Sequence, residues 1–429
     1  MTSLSSSAPP PSAYDPKSKG SSVNSSSELT ASDEAPDGGL RAWIVVAGSF
    51  CLSFATFGYV VSWGAFQEYY QAVALSDRSP SDIAWIGSLQ YALIFLPGLL
   101  TGYIFDLGYF RISLIGSSIV YITSNFLIAE CHKYWQFVIC QGVAVGLSAG
   151  WIYVPCTAIV AHWFKDKRPI AFSIVAFGSS VGGVLFSIIF RQLLPRVGFR
   201  WTVRVMALVN LACFLFAIIT MKARLPPKGK TVTQWRALLK RAYVLYTFST
   251  LLAFLGLYTP LTFLSVSAVS IGIDSSLAFY IVGVCNATSA FGRLLSGVLA
   301  VQYGGLNVMI VFTTLAAAMT YVWPFVDSHG GFIAIICLYG AASGAFVSLF
   351  PVVTTRLGGV EDVGLRTGVQ MTFMSLGALA GPPISGAIQQ HTGSFHDVGL
   401  YAGSMVIYSV VVMILARWAH VGELAGGVF

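Results

Sequence analysis

The chain has 429 residues, of which 56% are hydrophobic and only 10% are charged, and its mean hydropathy is +0.75. These values exclude a soluble globular domain and indicate a membrane protein. The 24 Lys and Arg exceed the 17 Asp and Glu, giving a net charge of +7, but no basic run is interleaved with stacking aromatic residues. We therefore expect no nucleic-acid partner.

Residues 1–42 are rich in Ser and Pro and lack the apolar core of a signal peptide. We predict that they form a disordered cytoplasmic tail, so that the first span itself directs insertion. Just before that span, the stretch PDGGLRAW contains Asp37, Gly38 and Gly39. We predict that Asp37 caps the helix of the first span and that the two glycines allow a tight turn.

Twelve continuous apolar runs have about the 20 residues that a helix needs to cross a bilayer. They lie near 43–66, 83–105, 112–129, 136–160, 169–190, 201–221, 242–270, 277–300, 305–326, 332–353, 366–388 and 398–419. The runs are continuous and not alternating, which excludes a transmembrane β-barrel. The predicted fold class is an all-α membrane protein with twelve transmembrane helices.

The distribution of Lys and Arg predicts the orientation. With the N-terminus in the cytoplasm, the inner connections hold 17 basic residues and the outer ones six, as the positive-inside rule requires. The longest inner connection, 221–241, follows the sixth span and holds seven of them. We therefore predict two six-helix halves, 43–220 and 242–419, a cytoplasmic linker between them, and a cytoplasmic tail at 420–429.

Two similar turns suggest that the halves are related. The turn after span 2, GYIFDLG, and the turn after span 8, GVLAVQYG, carry residues at comparable positions: Gly102, Asp106 and Gly108 in the first, Gly297 and Gly304 in the second. Duplicated transporter halves show such repeats. We predict that Asp106 joins an inter-helix charge network with basic neighbours such as Arg111 and residues 165–168; a solvated loop charge is the alternative.

Span 5 carries a cluster of small residues. Gly178 and Gly182, with Ser179 and Gly183, form two small-xxx-small pairs. Such pairs allow helix backbones to approach closely, so we predict helix packing for all four residues and no chemical role.

One arginine, Arg293, is the only charged residue in the run 277–300. Asn286, Ser289, Arg293 and Ser296 are spaced by three, four and three, which places them on one helix face. A face this polar is turned toward a cavity or another helix and away from lipid. We predict that Arg293 binds an anionic or strongly polar substrate in a central cavity; an inter-helix or snorkelling role is the alternative.

Other polar residues within spans are further candidates for substrate contact. They are Thr56, Tyr59 and Trp63 on one face of span 1, Tyr258 in span 7, and Gln370 in span 11. Tyr and Trp can bury a ring and still present a donor, which suits a partly apolar organic ligand. The alternatives are bonds back to the residue's own helix, interface anchoring, and helix-to-helix contacts.

The chain resembles a known family at three places. The GxxxDxG turn at Gly102 to Gly108 resembles the signature loop of the major facilitator superfamily. The stretches PDGGLRAW and HWFKDKRPIAFSIVAFGSSVGG, the latter from His162 to Gly183, resemble its monocarboxylate transporter branch, particularly the fungal members. The resemblance implies a substrate-anion role for Arg293 and a conformational role for the motif residues, which are Asp37, Gly38, Gly39, Gly102, Asp106, Gly108 and Arg168.

The chain also departs from that branch. Animal members carry a lysine late in span 1 and an aspartate four residues before the span 8 arginine, and here these positions are Val61 and Ser289. The anion-binding part of the family's site is retained and its usual proton-handling pair is not. This difference disfavours proton symport of the lactate type.

We predict a secondary active transporter that moves a small organic acid or related metabolite by alternating access, in the plasma membrane. Protons are a candidate coupling ion, and no metal or other cofactor is expected, because metal-ligand spacings and a complete phosphate-binding loop are missing. Export of a fungal secondary metabolite is an alternative. A nutrient sensor on the same scaffold is a third hypothesis, and an enzyme is disfavoured because no paired intramembrane carboxylates occur.

Overall fold

A computed structural model describes residues 35–224, 238–359 and 362–422. Residues 1–34 of the predicted tail 1–42, the middle of the linker, residues 360–361 and residues 423–429 lie outside the described part. Within it, every regular element is helical, and eleven helices are long and apolar enough to cross a membrane. The longest, Arg168–Thr220, has 53 residues and would span about 80 Å if straight. Gly198 interrupts it with φ 73°, so it forms two rods.

The described residues therefore contain twelve transmembrane rods, as predicted. Their bounds are α1 Leu40–Ala74, α2 Pro80–Phe95 with Gly98–Asp106, α3 Phe110–Ile128, α4 Tyr134–Ala161, α5 and α6 on either side of Gly198 in Arg168–Thr220, α7 Arg241–Gly256 with Thr259–Ser270, α8 Ser275–Tyr303, α9 Gly305–Val322, α10 His329–Arg356, α11 Val363–Thr392 and α12 Phe395–Val421. We call α1–α6 the first half and α7–α12 the second half.

α1, α2 and α7 deviate from regular helix geometry within their spans. α1 contains a π-helical segment, Phe54–Gly58, and α2 is interrupted at Pro97, which lacks a backbone N–H. α7 is interrupted at Leu257 and Tyr258, directly before Pro260. Such irregularities change the direction in which a side chain points, and here they lie beside the aromatic residues described below.

Small residues let α5 pack closely on α1. A Cβ atom on Gly178 would collide with the Phe50 carbonyl oxygen, and one on Gly182 would collide with that of Phe54. The packing predicted for these two glycines is confirmed.

The two halves meet closely at one end of the bundle, which we call the Asp106 end. There α2 crosses α11 with glycine against glycine: a Cβ on Gly102 would collide with the Gly364 carbonyl oxygen, and one on Gly368 with that of Gly98. Because these glycines have no side chains, the two backbones can touch. At this end of the molecule the first and second halves are therefore closed against each other.

The Asp106 carboxylate lies between the halves at this contact. It accepts hydrogen bonds from the backbone amides of Gly364 at 3.0 Å and Leu365 at 2.7 Å, in the first turn of α11. A helix N-terminus offers unpaired N–H groups and a partial positive charge. The sequence predicted a charge network of Asp106 with Arg111 and residues 165–168, which stays a prediction, and it did not predict the backbone amides of α11 as partners.

The turns after α2 and α8 have the same geometry. Gly108 and Gly304 have φ values of 88° and 86°, in the left-handed region that favours glycine. The predicted similarity between these turns is confirmed by their backbone conformation.

Asp37 does not cap α1, and that prediction is wrong. The N-cap of α1 is Gly39, with φ 87° and no side-chain cap. The Asp37 carboxylate instead accepts hydrogen bonds from the amides of Lys165 at 2.6 Å, Asp166 at 2.9 Å and Lys167 at 3.2 Å. The loop before α5 presents three amides to one carboxylate, and α1 offers Asp37 no comparable set. Asp37 thus fixes the α4–α5 loop to the segment before α1.

The charge of Asp37 depends on these amides. Burial alone would raise the pKa of its carboxyl, but the three backbone hydrogen bonds and the positive charge of Arg168 outweigh burial and lower the pKa below its usual 3.8. A carboxylate with a lowered folded-state pKa stabilises the fold above the unfolded pKa, and this contribution is lost as the pH falls through the folded value.

We expect Asp37→Asn to lower the thermal unfolding midpoint at pH 7 by roughly 2 °C, because weakening the charge-assisted hydrogen bonds from the α4–α5 loop costs about 1 kcal/mol. Thermal melts of the purified protein in nanodiscs measure the change. The matched control is Asp77→Asn, since Asp77 lies in an exposed turn beside Arg78 and should contribute little. The difference in unfolding midpoint between Asp37→Asn and the parent should become smaller below pH 3.8, where the Asp37 carboxylate is increasingly protonated. Equal unfolding midpoints of the two variants at pH 7 would contradict a stabilising role for the bonds between Asp37 and the α4–α5 loop.

Candidate functional site

Arg293 reaches across from α8 to α5. Its side chain is only 7% exposed, and Nη1 donates to the Ala176 carbonyl oxygen at 2.5 Å and to Ser179 Oγ. Nε has no hydrogen-bond partner among the described residues. Because the guanidinium is buried and bonded to the other half, snorkelling does not describe this conformation. Arg293 lies at the interface of the halves, in the middle of the membrane-spanning part of α8.

Gly297, one turn from Arg293 toward the Asp106 end, brings α8 close enough for this reach. A Cβ atom at Gly297 would collide with Ser173 Oγ and lie 3.0 Å from the Pro169 carbonyl oxygen, both on α5. The α5–α8 contact therefore depends on a residue without a side chain, like the α2–α11 contact.

Three tyrosine hydroxyl groups lie near enough to interact electrostatically with the guanidinium: those of Tyr258, Tyr153 and Tyr91. The rings of Tyr91 on α2 and Tyr258 on α7 meet edge to face at 5.1 Å between centroids. These three tyrosines, two from the first half and one from the second, thus lie near one buried cation.

These tyrosines belong to a larger aromatic cluster that joins the halves. Phe57 packs against Tyr153 at 4.6 Å, and Phe95 of the first half packs against Phe254 of the second at 5.4 Å. We define the aromatic cluster as Phe57, Tyr91, Phe95, Tyr153, Phe254, Tyr258 and Phe346. The π-helical segment of α1 carries Phe57, and the interruption of α7 carries Tyr258. The helix irregularities therefore lie where the cluster is built.

No carboxylate lies near the middle of any described span. The acidic residues within them, Glu68, Asp82, Asp106 and Asp397, lie near helix ends. The hydrogen-bond acceptors of Arg293 are a carbonyl oxygen and a hydroxyl oxygen, both neutral, and the nearby titratable side chains are tyrosines. A buried cation without a compensating anion is costly, and an anionic ligand relieves this cost. The arrangement can bind an anion beside an aromatic or apolar group.

The other predicted residues of α8 face a different neighbour. A Cβ on Gly344 of α10 would collide with Ser289 Oγ and its carbonyl oxygen, and Ser296 Oγ lies 2.8 Å from Ser348 Oγ, also on α10. Asn286 is half-buried. The polar stripe of α8 therefore divides, with its serines against α10 and Arg293 against α5.

The candidates of α1 and α11 are not brought to Arg293 in this conformation. Thr56 donates to the Leu52 carbonyl of its own helix at 2.7 Å, and Trp63 donates to Gln67 at 2.8 Å. Tyr59 packs inside the first half, with its ring 6.3 Å from that of Tyr121. Gln370 Oε1 accepts from Thr354 of α10. Tyr258 alone among these candidates lies beside Arg293, and substrate contact by the others stays a prediction.

Sequence reasoning missed Tyr91, Tyr153 and Ser179. The two tyrosines stand in continuous apolar runs, where no periodic polar face marks them. Ser179 was assigned to packing because it belongs to a small-xxx-small pair. The available signal was its hydroxyl, which the smaller glycines of the same motif lack.

The remaining motif residues fix the loops at the Asp106 end. Arg168 folds back on the loop before α5, with Nε donating to the Phe164 carbonyl at 2.5 Å, and Arg366 does the same before α11, donating to Asp362 and Gly359. His162, at the end of α4, is neutral at physiological pH, because burial and the charges of Arg224 and Arg168 lower its pKa to about 4. Gly38 has open space around it.

Comparison with known proteins agrees with this architecture. The family model "Major Facilitator Superfamily" matches residues 44–382. "Aspyridones efflux protein apdF" of Emericella nidulans is 34% identical over 402 residues, covering 93% of this chain and 82% of that protein. "Agnestins efflux protein AgnL12" of Paecilomyces divaricatus is 33% identical over 405 residues, covering 94% and 93%. The crystal structure of "the human organic anion transporter MFSD10 (TETRAN)" is similar in fold, with TM-score 0.71 and 16% identity, covering 88% of this chain and all of that one.

We expect Gly102→Ala to open the Asp106 end, because a methyl group there collides with the Gly364 carbonyl and overpacking of this kind costs about 1–3 kcal/mol. Hydrogen exchange of the full chain in nanodiscs should show the first turn of α11 exchanging about tenfold faster or more. Gly116→Ala on α3 is the matched control, since a Cβ there meets nothing within 4 Å. Exchange equal to that of the control would contradict the glycine contact.

Proposed function

The chain belongs to the major facilitator superfamily of transporters, and we propose that it exports a small organic metabolite that carries an anionic group. The observation that carries the proposal is the buried Arg293, which has only neutral partners in the described residues and lies beside an aromatic cluster. A carboxylate, enolate or phenolate would supply the missing charge, and a ring or apolar body would pack on the aromatic side chains.

Export is supported by the relatives. Two of them, about one third identical over more than 90% of this chain, are named as efflux proteins for aspyridones and for agnestins. Transport of a simple monocarboxylate is the second candidate. It is favoured by the resemblance of PDGGLRAW and of the α5 entry to that branch, together with Arg293. The size of the aromatic cluster favours a larger substrate, because a short acid would leave most of these rings without contact.

We infer that the Asp106 end faces the cytoplasm. This end collects most of the Lys and Arg of the described connections, including Arg111, Lys165, Lys167 and Arg356, as the positive-inside rule predicts. Both chain termini would then be cytoplasmic. Export from the cell places the protein in the plasma membrane, where a tagged chain in intact cells can be located by microscopy.

We expect Arg293→Gln to reduce export about 10- to 100-fold, because charge-assisted hydrogen bonds to the substrate are lost. Arg293→Lys keeps the charge and loses the planar fork, so an intermediate rate is expected. The substrate is first identified by comparing the metabolites of cells with and without the protein. Export is then measured at equal protein levels in the membrane.

The control for Arg293 is Arg417→Gln. Arg417 is equally buried but bonds to Asn307 of α9 within the second half, so its loss should leave the export rate per inserted molecule unchanged. Export by Arg293→Gln at the parental rate would contradict the anion site.

Proton coupling is tested separately in proteoliposomes loaded with the identified substrate. Since the described spans hold no carboxylate at mid-depth, we expect an imposed pH gradient to change the initial rate less than twofold. A larger change of rate, reversed when the gradient is reversed, would establish that protons take part in the cycle.

A further inference from the structure

The hydroxyl of Ser179 is oriented as an acceptor for Arg293. Ser179 Oγ donates its single proton to the Ala176 carbonyl at 2.9 Å, so that only its lone pairs face the guanidinium. Arg293 Nη1 donates to this oxygen and to the same Ala176 carbonyl. Ser179 and Ala176 therefore form a prepared pair of acceptors on α5 for one nitrogen of a residue on α8.

The two N–H bonds of Nη1 are both used by this pair, because a guanidinium nitrogen of this type carries two protons. A substrate anion that bound the guanidinium through Nη1 would have to displace Ala176 and Ser179. Since the pair belongs to the first half and Arg293 to the second, they meet only while α5 and α8 are together. The closeness of Gly297 to Pro169 and Ser173 shows that they are together in this conformation, in which the Asp106 end is closed.

We propose that Ser179 and the Ala176 carbonyl are a competing ligand pair for Arg293, which takes Nη1 of the guanidinium from the substrate anion as the Asp106 end closes. The substrate part of this inference rests on the proposed function. The bonds from Arg293 to this pair hold the two halves together, and we call them the tie. By linkage, the tie lowers the affinity of the closed form for the anion, and the anion weakens the tie by the same factor. For an exporter loaded from the Asp106 end, this exchange favours release on the opposite side.

The tie is tested first without any anion. We expect Ser179→Ala to increase hydrogen exchange about tenfold in the first turn of α5 and the last turn of α8, because the charged donor loses one of its two described acceptors. The matched control is Ser180→Ala, since Ser180 is equally buried and its Oγ has no described partner. Arg293→Gln should give a similar increase, and combining it with Ser179→Ala should add nothing. Exchange of Ser179→Ala equal to that of Ser180→Ala overturns the tie.

Competition is tested with benzoate as the anion and benzamide as its uncharged match, on the parent protein. We expect millimolar benzoate to speed hydrogen exchange at the Asp106 ends of α5 and α8 in the parent protein. The effect should be smaller in Ser179→Ala, and benzamide should have no effect. Slower exchange with benzoate would mean that the pair positions Arg293 for the anion, which overturns competition. If Ser179→Ala shows that the Arg293 bonds hold the halves together but benzoate has no effect on hydrogen exchange, the competing role is rejected and the anion site is disfavoured. If Ser179→Ala shows no such bond, the anion site is not affected by that result.

Discussion

The structure depends on one electrostatic constraint: a guanidinium is held inside a membrane-spanning bundle with only neutral groups around it. Removing a charge from water costs several kcal/mol unless hydrogen bonds and an opposite charge compensate. Arg293 donates hydrogen bonds to the Ala176 carbonyl and to Ser179 and has three tyrosines nearby, but it has no opposite charge among the described residues. The nearby features of the fold bring these neutral groups together. Small residues draw α5 toward α1, and an interruption of α7 carries Tyr258.

The closed contact between α5 and α8 and the proposed substrate site at Arg293 involve the same pair of helices. Gly297 and Arg293 are one turn apart on α8 and touch α5 within two turns of that helix. Separation of α5 and α8 would therefore break the Arg293 bonds to Ala176 and Ser179. On the other side of the interface, Asp106 meets backbone amides of α11. A carboxylate at the end of a span can be rehydrated when this contact opens, so opening leaves no buried charge unpaired.

The apolar runs predicted the twelve rods well, because length and hydropathy alone decide whether a helix can cross a bilayer. Arg293 was also found from the sequence, since a lone charge in an apolar run has few possible explanations. The polar stripe around Arg293 predicted substrate contacts less well, because a polar helix face can pack against any polar neighbour. Ser289 and Ser296 pack against α10. Asp37 shows the main limit. Its partners lie more than 125 positions away, and local rules favour the nearest helix start.

The serine at position 289, where animal members of the resembled branch carry an aspartate, has an electrical consequence. With no carboxylate at mid-depth in the described spans, the empty site carries one positive charge, and a bound monoanion neutralises it. In a cell with a negative interior, a charge that crosses the full field gains about 2.3 kcal/mol per 100 mV. We therefore expect the loaded carrier to turn outward without an electrical penalty, and the empty, positive carrier to be drawn back toward the cytoplasm. Each cycle would move one negative charge out of the cell, so the membrane potential alone could drive export of an anion. Such a cycle does not require the proton-handling pair of the animal members.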